Sequence, residues 1–73
     1  MTPADVRSTR KAWGLSAAKF ASLCGVVDGR TVRRWETGGS PIPGPVRRVL
    51  YLLAEMPTAK QRDAIARLRV IPL

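Results

Sequence analysis

The segment from Leu15 to Gly38 constrains the fold of this chain most, because it contains the start and stop signals of two consecutive short helices. Ser16 is a preferred N-cap for the first of them, and Gly25 is the residue type that most often ends a helix in the left-handed conformation. Asp28 can cap a second helix, which ends at Gly38. The segment therefore predicts two helices across a tight glycine turn, the helix-turn-helix unit.

Basic residues are in large excess. Thirteen lysines and arginines stand against five acidic residues, so the formal net charge of the 73-residue chain is +8. Ten of the thirteen are arginines, whose planar guanidinium matches phosphates and guanine edges better than the ammonium of lysine does. This composition indicates a polyanionic partner, most often a nucleic acid.

Several other classes of function are disfavoured by the composition. With no histidine and only Cys24, a zinc finger, an internal disulfide and histidine-dependent catalysis are excluded. No nucleophile–base pair or phosphate-binding glycine loop indicates an enzyme, and we expect no metal, cofactor or small-molecule ligand. The longest apolar run, residues 49–54, is far shorter than the ~20 residues that span a bilayer. Without a signal peptide, a cytoplasmic protein with a reduced thiol is expected.

Three further helices are predicted outside this segment. Thr2, Pro3 and Asp5 are typical of a helix start. The proline- and glycine-rich residues 37–45 interrupt the helices, and Pro45 suits the first turn of the next one. A last helix follows Pro57, with Gln61 as the expected capping-box partner of Thr58. The inward-facing residues are predicted to be Val6, Trp13, Phe20, Ala21, Cys24, Val32, Trp35, Val46, Val49, Leu50, Leu53, Ala64, Ile65 and Leu68. No strand pattern occurs, so residues 1–73 are predicted to form one all-α domain, a compact bundle of five short helices.

Residues 4–55 resemble the Cro/C1-type (XRE-like) helix-turn-helix domains of phage repressors and bacterial regulators. The matching elements are Gly14-Leu15-Ser16, Phe20-Ala21, Cys24-Gly25-Val26, Thr31-Val32, Trp35-Glu36 and Gly38. The run Pro-Ile-Pro-Gly-Pro-Val before the fourth helix is also similar to small phage-type members. The resemblance implies a lambda-repressor-like DNA-binding domain in the bacterial cytoplasm, associated with the nucleoid when bound to DNA, whose third helix lies in the major groove.

The resemblance also implies roles for individual positions. Exposed residues in the first two turns of the third helix would contact bases: Gly29, Arg30, Arg33 and Arg34. The start of the second helix, the third helix and the loop after it would contact phosphates, through Ser16, Ala17, Thr31 and Thr37. An arginine of the first helix would form a structural ion pair with the glutamate near the end of the third, here Arg10 with Glu36.

Two departures from the family pattern affect these assignments. The turn from Val26 to Arg30 is one residue longer than usual, which shifts the expected start of the third helix by up to one position. Ala17 stands where the family frequently has a phosphate-binding glutamine, so Lys19 or backbone amides of the second helix would replace that contact. Arg47 opens the fourth helix, where a cation opposes the helix dipole; a nearby phosphate would offset this cost, and simple exposure is the alternative.

Each candidate contact has a structural alternative. An arginine can donate two hydrogen bonds to guanine, which discriminates by about 1–3 kcal/mol against the wrong base. Arg33 and Arg34 project about 100° apart on a helix, so one is expected at a base and the other at a phosphate. The alternative is that both are merely solvated or bound to phosphate. Asp28 is expected to cap its helix rather than to read cytosine. Trp35 is expected in the core, not stacked on a base.

These observations predict a sequence-specific transcriptional regulator that binds double-stranded DNA as a homodimer. It would act as a repressor of phage or mobile-element type that binds a palindromic operator. Repression of its own gene fits this mode of action. The expected dimer surface lies in residues 58–73, at Ile65, Leu68, Val70, Ile71 and Leu73; the alternative is that these residues complete the monomer core. Two other functions remain open: an antitoxin or adaptor that mainly binds a protein, and a nonspecific nucleic-acid-binding protein.

Overall fold

Five α-helices account for most of the chain in the computed structural model, which describes residues 1–71. The helices are α1 Pro3–Ala12, α2 Ala17–Cys24, α3 Gly29–Thr37, α4 Gly44–Ala54 and α5 Thr58–Arg69. No strand occurs within these 71 residues, so the predicted all-α class with five helices is confirmed. None of the helices in the described part is long and apolar enough to cross a membrane.

The first three helices begin at side-chain caps. Thr2 and Asp5 form a capping box, since the backbone N of each donates to the side chain of the other, at 2.9 and 3.2 Å. The hydrogen bond that the backbone N of Thr2 donates to the Asp5 carboxyl lowers the pKa of this group. Ser16 Oγ accepts from the backbone N of Lys19 at the start of α2, and Gly25 ends that helix with φ 73°. The caps expected from the sequence are therefore present at α1, α2 and α3.

The start of α5 differs from the expectation. Pro57 is its N-cap and makes no side-chain cap hydrogen bond, so the predicted capping box of Thr58 and Gln61 is wrong. Gln61 instead donates from Nε2 to the carbonyl oxygen of Leu53, at 2.9 Å. Leu53 lies in the last turn of α4, and its carbonyl oxygen also accepts from the backbone N of Met56, at 3.1 Å. Gln61 thus joins α5 to α4.

All five helices contribute to one apolar core. Its buried residues are Val6, Leu15, Ala17, Phe20, Ala21, Leu23, Val32, Trp35, Val46, Leu50, Leu53 and Ile65. Leu15, Ala17 and Leu23 also belong to this core, although they were not expected in it. Val49 was expected to face inward, whereas 38% of Val49 is exposed, because the buried stripe of α4 runs through Val46, Leu50 and Leu53 and leaves Val49 at its edge. Cys24 is half-buried and packs against the core.

The helices pack in an order that separates α3 from α5. α3 packs against α1 and α2, whereas α5 packs against α2 and α4. The rings of Trp13 and Phe20 meet at a centroid distance of 6.2 Å and join the end of α1 to α2. This arrangement holds α3 by one side only and leaves its opposite side open.

Candidate nucleic-acid interface

α3 is strongly two-sided. Val32 and Trp35 are buried on the side that faces α1 and α2. Since successive residues of a helix are about 100° apart, Arg30 and Thr37 lie opposite this buried side, with Arg33 and Arg34 on either flank. All four side chains are exposed. The core therefore anchors one side of α3 and directs a group of three arginines into solvent.

The start of α3 is set by Asp28. Its Oδ1 accepts hydrogen bonds from the backbone N of Arg30 at 3.0 Å and of Thr31 at 3.3 Å. Asp28 is thus the N-cap, as expected from the sequence. The helix begins at Gly29, so Arg30 belongs to its first turn and shares the exposed face with Arg34. The longer turn leaves Val27 88% exposed and does not remove Arg30 from the arginine group.

Gly29 lies where α3 approaches α2. A Cβ on Gly29 would be 3.1 Å from the backbone N of Ala18 and 3.2 Å from the backbone C of Ala17. Both distances are closer than an ordinary van der Waals contact. Gly29, expected to contact a base, therefore faces the first turn of α2, and its lack of a side chain allows the two helices to pack closely.

The ion pair between Arg10 and Glu36, implied by the family resemblance, is present in the structure. Arg10 donates from Nε to Glu36 Oε2 at 2.7 Å and from Nη2 to Oε1 at 3.1 Å. The two side chains are only 16% and 8% exposed, and the hydrogen bond to Glu36 raises the pKa of Arg10. A third hydrogen bond joins Arg10 Nη1 to the carbonyl oxygen of Leu15 at 3.1 Å. Arg10 thereby connects α1, the end of α3 and the segment before α2.

The phosphate candidates fall into two groups. Lys19 and Arg47 are exposed on α2 and α4 and have free surface for a ligand. Ser16, Thr31 and Thr37 are less available: Ser16 caps α2, Thr31 is half-buried, and Thr37 donates to the carbonyl oxygen of Arg34 at 3.3 Å. The side chain of Ala17 is buried in the core. Any contact made by Ala17 would therefore come from its backbone amide.

The candidate dimer residues do not form one exposed surface. Ile65 is 7% exposed and belongs to the core, so it is not available to a partner in this fold. Leu68 is half-buried and packs against the core. Val70 and Ile71 are 79% and 58% exposed, whereas Leu73 lies outside the described residues. The alternative that the last helix completes the monomer core therefore holds for Ile65 and Leu68.

Sequence reasoning missed an exposed apolar surface on α4. Tyr51 and Leu52 are 68% and 61% exposed, on the side of α4 away from the core. The available signal was the run from Val49 to Ala54, which has apolar residues on all sides of the helix and exceeds what one buried face needs.

Cys24 lacks the environment of a reactive or metal-binding thiol. Burial raises the pKa of the Cys24 thiol to about 12, whereas reactive cysteines have a lowered pKa. Among residues 1–71, no group of three or more His, Cys, Asp or Glu side chains could hold a metal ion. Cys24 is therefore a small apolar residue of the α2 turn.

Comparison of the chain with protein-family models, curated proteins and solved structures gives no match.

Proposed function

We propose that the chain is a sequence-specific regulator of transcription that binds double-stranded DNA through α3. In this proposal α2 and α3 act as a helix-turn-helix unit. The observation that carries it is the two-sided α3, which is held by Val32 and Trp35 and exposes Arg30, Arg33 and Arg34 on its free side. The major groove of B-DNA is about 12 Å wide and admits one such helix.

The chemistry of the exposed group fits guanine and phosphate. The guanidinium of arginine can donate two hydrogen bonds to O6 and N7 of guanine, or two to a phosphate. Arg33 and Arg34 lie on opposite flanks of the free side, so they are proposed to divide these roles. Arg30, at its centre, is proposed to reach a base edge. Lys19 and Arg47 would add phosphate contacts, which position the domain without reading sequence.

The anchoring of α3 matters as much as its charge. A base-reading side chain must be held in register, and side chains on a rigid helix achieve this better than those on a loop. Arg10 and Glu36 fix the end of α3, while Asp28 fixes its start. Sequence specificity, rather than charge attraction alone, is therefore proposed.

A single α3 would read about four or five base pairs, so a two-fold dimer on a palindromic operator is proposed, with half-sites about 10 bp apart. Control is proposed to come from protein abundance and operator occupancy. This mode suits a repressor, including one of its own gene, in the bacterial cytoplasm.

Selection from random oligonucleotides tests sequence-specific binding directly. An enriched palindrome with half-sites about 10 bp apart is expected. Selection without an enriched motif would contradict the proposal and favour nonspecific binding, which is the alternative because α5 also carries exposed basic residues such as Lys60 and Arg62.

Arginine variants then test the reading surface. Of Arg33→Ala and Arg34→Ala, the variant that loses the base contact is expected to weaken binding to the selected site by about 5- to 150-fold, as loss of 1–3 kcal/mol implies. The variant that loses the phosphate contact is expected to weaken binding to all sequences alike. Arg62→Ala on α5 is the matched control, since it removes the same charge from an exposed position, and a change of less than about threefold is expected. If Arg33→Ala and Arg34→Ala both leave affinity and sequence preference unchanged at fixed salt, α3 does not lie in the groove as proposed.

A further inference from the structure

α4 has an exposed face that the core does not use. Its buried stripe consists of Val46, Leu50 and Leu53, and Tyr51 and Leu52 lie on the opposite side, exposed by 68% and 61%. A helix that is apolar on both sides normally buries both. The exposed side therefore has the character of an interaction surface.

Charges of opposite sign flank this apolar pair. Arg48 lies one turn before Tyr51 and Leu52, and Glu55 lies one turn after them, all four on one stripe of α4 with exposed side chains. Glu55 is the C-cap and retains a helical φ of −83°, so the stripe continues through it. We call these four residues the α4 face. An open groove of about 630 Å³ lies beside the face, with Met1 on its other side.

The α4 face is complementary to itself. Arg48 and Glu55 are equally far from the midpoint between Tyr51 and Leu52, so two antiparallel copies of α4 would place Arg48 of one opposite Glu55 of the other. Tyr51 and Leu52 would meet at the centre. An interface across a two-fold axis uses the same patch on both subunits, and this spacing satisfies that condition.

The helix dipole adds a second argument for antiparallel packing. Arg48 lies in the first half of α4 and Glu55 at its end, so each charge is unfavourably placed with respect to its own helix. In an antiparallel pair, Arg48 approaches the C-terminal end of the partner's α4, and Glu55 approaches the N-terminal half. The same charges then become favourable.

We infer that the α4 face binds a second copy of this chain, with α4 packed antiparallel on the partner's α4 about a two-fold axis between Tyr51 and Leu52. This inference deepens the proposed function and rests on it only for the role of the dimer, which is to match a palindromic operator. A contact built on one short helix lies near the lower limit of stable interfaces, roughly 1,000 Å² in total, so the dimer is weak in solution and forms at micromolar concentration.

The tail of α5 is a poorer surface for a second copy. Val70 and Ile71 are exposed there, but the neighbouring charges are Arg67 and Arg69, and Asp63 already pairs with Arg67 at 3.1 Å. A two-fold axis at this tail would bring like charges together, which disfavours association. Charge therefore favours the α4 face over the surface expected from the sequence.

Charge reversal at the α4 face tests this interface without DNA. Sedimentation equilibrium of the full chain, from about 5 to about 500 μM, is expected to show a monomer–dimer equilibrium. Arg48→Glu and Glu55→Arg are each expected to weaken the dimer at least about tenfold, because each variant replaces two attractive pairs by two repulsive ones. The double variant R48E/E55R restores both pairs and is expected to return the dimer to within about threefold of the original.

Two controls separate this surface from others. Arg62→Glu makes the same change in charge at an exposed position on α5 and is expected to leave the dimer unaffected. Val70→Ser with Ile71→Ser, at the tail, is also expected to leave it unaffected. Circular dichroism of each variant reports whether the helices are retained, and recovery in the double variant excludes misfolding as the cause of a loss.

Four results would overturn the inference. They are a monomer throughout the concentration range, single reversals without effect, a double variant that does not recover, and a dimer lost only in the tail variants. None of these depends on DNA. A monomer that still selects a half-site sequence would remove the α4 dimer and leave the reading role of α3, whereas an α4 dimer that selects no DNA motif would do the opposite.

Discussion

Among the side chains of the described residues, Arg10 makes the largest number of hydrogen bonds. It makes two hydrogen bonds to Glu36 and one to the carbonyl oxygen of Leu15, in a largely buried position. The pattern of the sequence alone could not have paired residues 26 positions apart; the family resemblance implied this pair. The third contact, to Leu15, was not expected, because every residue has a backbone carbonyl and the sequence does not show which of them a side chain reaches.

Arg10→Ala is expected to lower the free energy of unfolding by about 2 kcal/mol or more, since it leaves the buried Glu36 carboxylate without its partner. Urea unfolding measures the change. Arg7→Ala, at an exposed position on the same helix, is the control and should change it by less than about 0.5 kcal/mol. A change below about 0.5 kcal/mol for Arg10→Ala would show that the pair is not structurally important.

Cys24 is expected to react slowly in the folded protein. Its thiol pKa is raised from 9.0 to about 12 by burial, so very little thiolate exists at pH 8. Alkylation by iodoacetamide, followed by mass spectrometry, should be at least about 100-fold slower than for the same chain in urea. Because the unfolded thiol ionises first, stability should also fall as the pH rises above about 9. Equal alkylation rates with and without urea would contradict the burial of this thiol.

α3 combines local helix signals with close packing against neighbouring helices. Its caps are local and were readable from the sequence, since Asp28 contacts residues only two and three positions away. The close packing of α3 against α2 could not be predicted from the sequence. Gly29 stands near the backbone of Ala17 and Ala18, and this spacing is created only when α2 and α3 pack.

Gly29→Ala and Gly44→Ala form a matched pair, because each glycine is the first residue of its helix. Alanine normally stabilises a helix relative to glycine by roughly 0.5–1 kcal/mol. The Cβ position of Gly44 has open space around it, but Pro45 follows and disfavours the helical conformation of a preceding alanine, so a change of less than about 0.5 kcal/mol is expected there. For Gly29 the added Cβ presses on backbone atoms of α2, so a loss of about 1 kcal/mol is expected. Thermal unfolding measures both, and a gain at Gly29, or a loss no larger than that at Gly44, would contradict the close approach of α3 to α2.

For the molecule as a whole, charge is distributed over every helix rather than confined to α3. The folded domain measures 32 × 24 × 21 Å and carries a formal charge of +8. The ion pairs in the described part include the exposed Asp63–Arg67 pair, which contributes little. Repulsion between basic residues therefore opposes the compact state.

Salt is expected to stabilise the free protein and to weaken its complex with DNA. Between ionic strengths of about 0.01 and 0.1 M, the Debye length falls from about 30 to about 10 Å. At the higher ionic strength it is shorter than the width of the domain, so repulsion between distant basic residues is screened. The melting temperature should rise by about 2–5 °C over this range, while the affinity for DNA falls. A low protein concentration keeps dimerisation from contributing. A melting temperature that falls with salt would show that attractive pairs outweigh repulsion.

The sequence by itself determined the features that depend on residues close together in the chain. Helix starts at Thr2, Ser16 and Asp28 were readable because a cap acts over two or three residues, and the net charge needs no structure at all. The tertiary structure decided which side of each helix is buried. The packing of α5 against α4 brought the Gln61 side chain to the carbonyl oxygen of Leu53. Ile65 is buried in the core while Tyr51 and Leu52 stay exposed, because a helix with apolar residues on several sides buries only the side that a neighbouring helix covers.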